Sequence, residues 1–125
     1  MHVVFAVGDL ARSVAFYETV FGWPRNERID FAEYVELHPD EGGTLGLCER
    51  PTYGRLVGAD AVQTNGDVSP AYLYVRLADP EAAAARIRDA GGRELAPFAA
   101  RSWGEVAGWF ADPDGNVVAL ARSQG

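Results

Sequence analysis

The sequence predicts an α+β protein made of two tandem βαβββ modules. Three observations support this fold class. The chain repeats itself at a shift of about 70 residues. Each repeat opens with an apolar run that ends at an aspartate and leads into a helical stripe of apolar residues. Each repeat closes with a proline-containing turn before a short strand. In each module, one helix is therefore expected to cover one face of a sheet.

The first module, residues 1–50, begins with the apolar run VVFAVGDL at 3–10, where Asp9 stands at a helix N-cap position. An apolar stripe predicts the helix that follows, and Gly22 is expected to end it. The stripe consists of Leu10, Val14, Tyr17 and Phe21. The residues HPDEG at 38–42 then predict a turn before a strand at 44–48.

The second module, residues 71–125, repeats this pattern from YLYVRLADP at 72–80. Asp79 is the predicted N-cap and Pro80 suits the first helical position. The helix should turn Ala83, Ile87 and Ala90 inward and stop at Gly91 and Gly92. The residues DPDGN at 112–116 predict a turn before a strand at 117–121. Between the modules, residues 51–70 are rich in Gly, Pro, Asn and Asp and predict a connecting loop with an Asn65-Gly66 turn.

The length of the chain and its net charge limit the classes of function that we expect. A chain of 125 residues suits a single domain. The net charge of -7, from 18 acidic and 11 basic residues, repels nucleic acid and attracts a cationic small molecule. The apolar run near the start is far too short for a membrane span, and no basic residue precedes it as a secretory signal requires. The single Cys48 cannot form an intrachain disulfide, so the expected setting is the cytoplasm.

Three segments carry a family resemblance: HVVFAVGDLARSVAFYETVFGW at 2–23, IRDAGG at 87–92, and WGEVAGWFADPDGNVVAL at 103–120. They resemble the vicinal oxygen chelate superfamily, which includes glyoxalase I, extradiol dioxygenases, fosfomycin-modifying enzymes and bleomycin-resistance proteins. The resemblance implies that the two modules form one cupped mixed sheet with the helices on its outer face. It leaves the activity open, because the superfamily spans enzymes and plain binders.

The resemblance also implies where metal ligands would lie. The four ligand positions of the metal enzymes fall on His2, Gly46, Tyr72 and Ala119. Gly and Ala offer no ligand atom and a neutral Tyr is a poor ligand, so His2 is the only ligand position retained. The expectation is therefore a protein without metal or other cofactor. A shifted set of His2, Glu36 and Glu105 is the alternative.

Strand alternation then indicates which side chains face the cup, once one residue of each strand is anchored. The candidates for ligand contact are Trp109, Tyr72, Tyr74, Glu105, Tyr34, Glu36, His2 and Trp103. A role without ligand contact is the alternative: the aromatic residues would pack in the sheet or in a dimer interface, and the carboxylates would be solvated surface charges. Arg76 would offset a nearby carboxylate, and Trp103 would serve as a lid or a loop filler. Cys48 is expected to be a buried small hydrophobic side chain rather than a nucleophile.

These features predict a metal-independent small-molecule-binding protein, closest to the bleomycin-resistance branch, that sequesters an aromatic or cationic antibiotic or metabolite. The predicted partners are this ligand and a second copy of the chain in a homodimer, with no nucleic acid and no membrane. One alternative is an enzyme: a metal-dependent lyase or dioxygenase with an unusual ligand set, or a metal-free isomerase with Glu36 or Glu105 as base. The other is an interaction module whose cup is filled by a partner or by loop 51–70.

Overall fold

The computed structural model describes residues 1–29, 31–58 and 68–124. The chain divides into two compact units, unit 1 at Met1–Thr64 and unit 2 at Asn65–Gly125. Unit 1 contains β1 (His2–Val7), α1 (Leu10–Phe21), β2 (Tyr34–Leu37), β3 (Thr44–Glu49) and α2 (Arg50–Val57). Unit 2 contains β4 (Tyr72–Arg76), α3 (Pro80–Asp89), β5 (Arg93–Ala100), β6 (Glu105–Ala111) and β7 (Val117–Ser123). Among these described helices, none is long and apolar enough to cross a membrane.

The predicted α+β class is confirmed, and each unit has a mixed sheet. In unit 1 the strand order is β1-β3-β2, with β1 parallel and β2 antiparallel to β3. In unit 2 the order is β4-β7-β6-β5, with β4 parallel to β7 and the other pairs antiparallel. Unit 2 is thus a full βαβββ module. In unit 1 the described residues between α1 and β2 form only isolated bridges, including Arg25 with Leu37, in place of a strand.

Both predicted N-caps are present. The Asp9 carboxylate accepts a hydrogen bond from the Arg12 backbone N–H at 3.0 Å, and Asp79 accepts from the Ala82 N–H at 3.1 Å. Each bond satisfies one of the amide groups that a helix start leaves without an intrahelical partner. The matching caps explain why the same aspartate-then-helix pattern recurs in both halves of the chain.

The buried side of α1 is rotated from the predicted stripe. Val14 and Tyr17 are buried as expected, together with Ser13, Phe16 and Val20. Leu10 and Phe21 are only half-buried, and Phe21 stacks on Trp23 with ring centroids 4.3 Å apart. Trp23 lies after the helix and is itself buried, so part of the α1 apolar surface is covered by the chain that leaves the helix. In α3, Ala83 and Ile87 are buried as predicted, while Ala90 is half-buried and forms the C-cap.

The prediction of a loop over 51–70 is wrong for its first part, because α2 occupies Arg50–Val57. Pro51 sits in the first turn of this helix, where a missing N–H costs nothing, and Gly58 ends it in the left-handed conformation with φ 76°. The same two residue types had suggested a loop. The predicted Asn65-Gly66 turn lies outside the described residues.

The helix α1 covers one face of the sheet in unit 1, and α3 covers one face of the sheet in unit 2. Because side chains alternate along a strand, the residues next to those on the covered face point to the opposite face. In unit 1, Phe5 and Leu47 are paired and face α1, with the Phe5 and Tyr17 ring centroids 6.3 Å apart. In unit 2, Phe110 faces α3, because the Arg88 guanidinium lies 5.8 Å from its ring centroid. We call the opposite faces the Tyr34 face in unit 1 and the Tyr74 face in unit 2.

The turn before β7 is held by one buried carboxylate. Asp112 Oδ1 accepts from the backbone N–H groups of Asp114 and Asn116 at 2.8 and 2.9 Å. Asp112 and Asn116 are only 4% and 7% exposed, so this turn is part of the folded core and not a surface loop. It sets where β7 begins, and therefore which β7 residues stand beside those of β4 and β6.

Candidate functional site

Three predicted ligand-contact residues, His2, Tyr34 and Glu36, meet on the Tyr34 face of unit 1. The Tyr34 hydroxyl donates to Glu36 Oε2 at 3.0 Å and lies 3.0 Å from His2 Nε2. His2 Nδ1 hydrogen-bonds the hydroxyl of Thr44, since the strand register places these two residues side by side. Both ring nitrogens of His2 and the Tyr34 hydroxyl therefore have partners within the protein.

Gly46 lies directly beneath Tyr34. It pairs with Glu36 on one side and with Val4 on the other. A Cβ at position 46 would stand 2.5 Å from the Tyr34 hydroxyl oxygen and 2.6 Å from Cε1, closer than atoms approach in proteins. The Tyr34 ring thus fills the space that a side chain at position 46 would need.

The electrostatics of this cluster fix Glu36 as an anion. A hydrogen bond from Asn26 Nδ2 at 3.0 Å, reinforced by the Tyr34 hydroxyl and opposed by burial, holds the pKa of the Glu36 carboxyl below its ordinary value. Burial and the bond to Glu36 raise the pKa of Tyr34 well above its ordinary value. At neutral pH, Tyr34 stays a neutral donor and Glu36 a carboxylate that already holds two donors, which makes Glu36 a weak base.

A second polar group lies on the Tyr74 face of unit 2. The Tyr74 hydroxyl donates to Glu105 Oε1 at 2.9 Å and accepts from Trp103 Nε1 at 2.9 Å. Arg76 donates from Nε to Glu105 Oε2 at 2.9 Å and from Nη2 to Oε1 at 3.4 Å. The Arg76 bonds, followed by the Tyr74 bond, lower the pKa of Glu105. The predicted role of Arg76 as an offsetting charge is confirmed.

Three aromatic rings stand beside this group. Tyr72 and Trp109 meet edge to face with centroids 5.8 Å apart, and Trp103 and Trp109 do so at 6.4 Å. Tyr72 is 53% exposed and Trp103 55% exposed. Across the sheet, Ala119 of β7 is paired with both Tyr74 and Trp109, so a methyl group separates the larger side chains. In this aromatic cluster of Tyr72, Trp103 and Trp109, the first two rings are open to solvent and Trp109 is half-buried.

Several residues that shape these sites were missed in the sequence. Asn26 holds Glu36, Thr44 holds His2, and Arg101 places its guanidinium 4.9 Å from the centroid of the Trp109 ring. Arg101 is fixed there by donating to the carbonyl oxygens of Ala107 and Pro97, at 2.9 Å each from Nη2. Of these contacts, only the one between Thr44 and His2 could have been inferred from the sequence. Each is the first residue of its strand, and parallel pairing of the two strands aligns them.

The donor set does not fit the metal that the resemblance implies. Within the described residues, no three His, Cys, Asp or Glu side chains come together as a divalent ion would need. His2 Nδ1 and Glu36 Oε2 are 3.7 Å apart, yet position 46 supplies no ligand and Tyr34 fills its place. The alternative set with Glu105 is not supported either, because that carboxylate is taken by Arg76 and Tyr74.

The α+β fold of the two units, with three helices and mixed sheets of three and four strands, defines a protein of the vicinal oxygen chelate type. The chain belongs to the Glyoxalase/Bleomycin resistance protein/Dioxygenase superfamily, whose family model matches residues 1–120. No curated protein matches the sequence.

Solved structures support the same fold. A glyoxalase/bleomycin resistance protein/dioxygenase family enzyme from Burkholderia phytofirmans PsJN has a TM-score of 0.84 at 20% identity, over 98% of this chain and 96% of that chain. A glyoxalase-related enzyme from Fulvimarina pelagi has a TM-score of 0.77 at 24% identity, over 98% and 87%. The fosfomycin resistance protein FosX from Mesorhizobium loti has a TM-score of 0.69 at 17% identity, over 99% and 91%. At these identities the likeness establishes the fold and leaves the activity open.

Proposed function

We propose that this chain is a metal-independent binding protein that holds a planar aromatic antibiotic or metabolite on the Tyr74 face of unit 2. The observation that carries the proposal is the aromatic cluster, in which Tyr72 and Trp103 are more than half exposed and stand nearly perpendicular to Trp109. Large aromatic side chains left open to water in one group are a typical platform for a flat ligand.

The perpendicular rings suit a planar ligand in particular. A flat ring system that stacks on Trp103 or Tyr72 presents its edge to Trp109, so that stacked and edge-to-face contacts form together. Such contacts contribute about 0.5–1.5 kcal/mol per ring pair beyond the buried area.

The charged side chains at this site indicate that a ligand gains affinity from contact with the aromatic rings and not from a positive charge of its own. Glu105 is bonded to Arg76 and Tyr74, and a ring face of Trp109 carries the Arg101 guanidinium. A ligand cation would compete with these internal cations. The isomerase alternative is not favoured, because the pKa values of Glu36 and Glu105 are both lowered and a general base benefits from a pKa nearer neutrality. The homodimer and the cytoplasmic setting expected from the sequence stay predictions.

The test is a titration with two probes of the same shape, acridine, which is neutral near pH 7, and 9-aminoacridine, which is cationic. We expect both to bind with similar affinity, and Trp103→Ala to weaken each roughly 3- to 10-fold. Glu105→Gln should change the two affinities by no more than about twofold. Phe31→Ala is the matched control, since it removes an exposed ring from unit 1. Equal weakening by Phe31→Ala and Trp103→Ala, or no binding of either probe, would refute the proposal.

A further inference from the structure

The guanidinium of Arg101, a residue that follows directly after β5, lies beside the aromatic cluster of unit 2. Its central carbon is 4.9 Å from the centroid of the Trp109 ring. Tyr72 and Trp103 meet the same ring at centroid distances of 5.8 and 6.4 Å. Because the guanidinium and the two open rings all surround Trp109, a flat ligand that rests on the cluster and carries one short substituent can reach Arg101.

Arg101 differs from three other arginines of unit 2 in its partners. Arg76, Arg88 and Arg122 each donate to a carboxylate, at 2.8–3.2 Å. Arg101 donates only to backbone carbonyl oxygens. Within the described part of the chain, no carboxylate pairs with it. Its positive charge therefore stands without a counterion.

One nitrogen of this guanidinium has no acceptor. The bonds to the two carbonyl oxygens use Nε and Nη2, and Nη1 donates to none of the described residues. Arg101 is half-buried, so water reaches its charge only in part. The carbonyl bonds also fix the orientation of the guanidinium before a ligand arrives, which lowers the entropy that binding costs. An anion that accepts from Nη1 would thus form a charge-assisted hydrogen bond with a donor already in place.

The ion pair beside the cluster does not offset this charge. Glu105 is held by two bonds from Arg76, so these two charges balance each other. The net charge of -7 of the whole chain attracts cations, but salt screens charges that lie more than about 10 Å away. At contact distance from the cluster, the unbalanced charge of Arg101 decides, and it is positive.

From this arrangement we infer that Arg101 is a specificity-determining residue of the aromatic cluster, and that the ligand is a planar aromatic carboxylate. The inference rests on the proposed function, because it names the class of ligand that the same site holds. The ring system of the ligand lies against Tyr72 and Trp103, and one carboxylate oxygen accepts from Arg101 Nη1. The site requires neither a metal nor a reaction for this selectivity.

The experiment is isothermal titration calorimetry of the full chain at pH 7 with 2-naphthoate, 2-naphthamide and 2-naphthamidine, which have nearly the same shape and differ in charge. We expect 2-naphthoate to bind roughly 3- to 10-fold more tightly than the neutral amide, and the cationic amidine no more tightly than the amide. Raising the salt concentration from about 0.05 to about 0.5 M should narrow the first difference and leave the amide unchanged. Naphthoate binding no tighter than the amide would overturn the inference.

Variants of unit 2 localise the effect. Arg101→Gln should remove most of the preference for naphthoate and leave the affinity for the amide within about twofold, whereas Arg101→Lys keeps the charge and should keep part of the preference. Arg122→Gln removes the same charge from a residue bonded to Glu81 and should change neither affinity. Equal losses of preference in Arg101→Gln and Arg122→Gln would overturn the assignment.

The two proposals fail in different ways. If none of the three probes binds, or if Trp103→Ala leaves all three affinities unchanged, the proposed function fails. If the amide binds through Trp103 and naphthoate gains nothing over it, only the inference about Arg101 fails. The comparison of the three probes uses the unaltered chain, so it decides the question even if Arg101→Gln does not fold.

Discussion

Gly46 is predicted to be required because of Tyr34, and the requirement should disappear when Tyr34 is removed. The backbone at Gly46 does not need glycine, since it is absent from the glycines with positive φ among the described residues. The obstacle to a side chain is the Tyr34 ring, 2.5–2.8 Å from where a Cβ would stand. In Gly46→Ala, the flexible Tyr34 side chain has to swing away.

The cost of Gly46→Ala then follows from the bonds that Tyr34 gives up. The hydroxyl loses a 3.0 Å bond to the Glu36 carboxylate, worth about 1.5–2 kcal/mol, and a 3.0 Å contact with the half-exposed His2, worth about 0.5 kcal/mol. Alanine offsets about 0.5–1 kcal/mol of this loss, because glycine in a strand is entropically unfavourable. The net expectation is a destabilisation of about 1.5 kcal/mol.

A double-mutant cycle separates this explanation from a general intolerance of alanine in β3. In the Tyr34→Ala background no ring meets the new methyl group, so Gly46→Ala should stabilise the protein by about 0.5–1 kcal/mol. The two effects differ in sign, which gives a coupling energy of about 2 kcal/mol between positions 34 and 46. Urea denaturation of the four proteins, followed by circular dichroism, measures all the terms. If Gly46→Ala costs the same in both backgrounds, the explanation is refuted.

Further predictions concern capping, the buried turn and pH. Asp9→Ala and Asp79→Ala should each destabilise their helix by about 1 kcal/mol in urea denaturation, since each removes one cap bond; effects below about 0.3 kcal/mol would contradict this. Asp112→Ala should cost about 2–4 kcal/mol by leaving one buried and one part-buried N–H group without an acceptor, and Asp112→Asn clearly less because Oδ1 remains; equal costs would contradict the role of the acceptor. Because the folded-state pKa of Glu36 lies below its ordinary 4.5, its stabilisation is present above that pH and is lost as pH falls through the folded value. The urea midpoint of wild type should therefore fall more steeply below pH 4.5 than that of Glu36→Gln, and parallel curves would argue against it.

The sequence predicted the parts of the fold that depend on local pattern. Asp9 and Asp79 cap their helices because an N-cap acts through a bond to an amide three residues away. The helix α2 was missed because Pro51 and Gly54 are common in loops. What made a helix there is the placement of Pro51 in its first turn and of a left-handed glycine at its end. The rotation of α1 depended on Trp23, whose packing against Phe21 no helical period can reveal.

For the candidate sites, strand alternation grouped Tyr34 with Glu36, because alternate residues of one strand share a face. Grouping Tyr74 with Glu105, which lie on different strands, also needed one anchored residue on each strand. It was not enough to say what these groups bond. The sequence shows how many carboxylates are present, whereas the affinity for a cation depends on which of them are already paired within the fold. Glu105 and Glu36 are both satisfied by other side chains, and the partners come from strands or segments whose register only the fold determines.

The parallel pairing of β1 with β3 and of β4 with β7 also fixes the order in which the chain can fold during synthesis. In each unit, the first strand to leave the ribosome finds its partner only when the last strand of that unit has emerged. Unit 1 can close its sheet once residue 49 is out, while β4 waits for residues 117–123. Because β7 is also the neighbour of β6, a nascent chain stalled before residue 117 exposes the edges of both β4 and β6. In unit 1, a chain stalled before residue 44 exposes the edges of β1 and β2 in the same way, so each unit lacks its joining strand until that strand is the last to emerge.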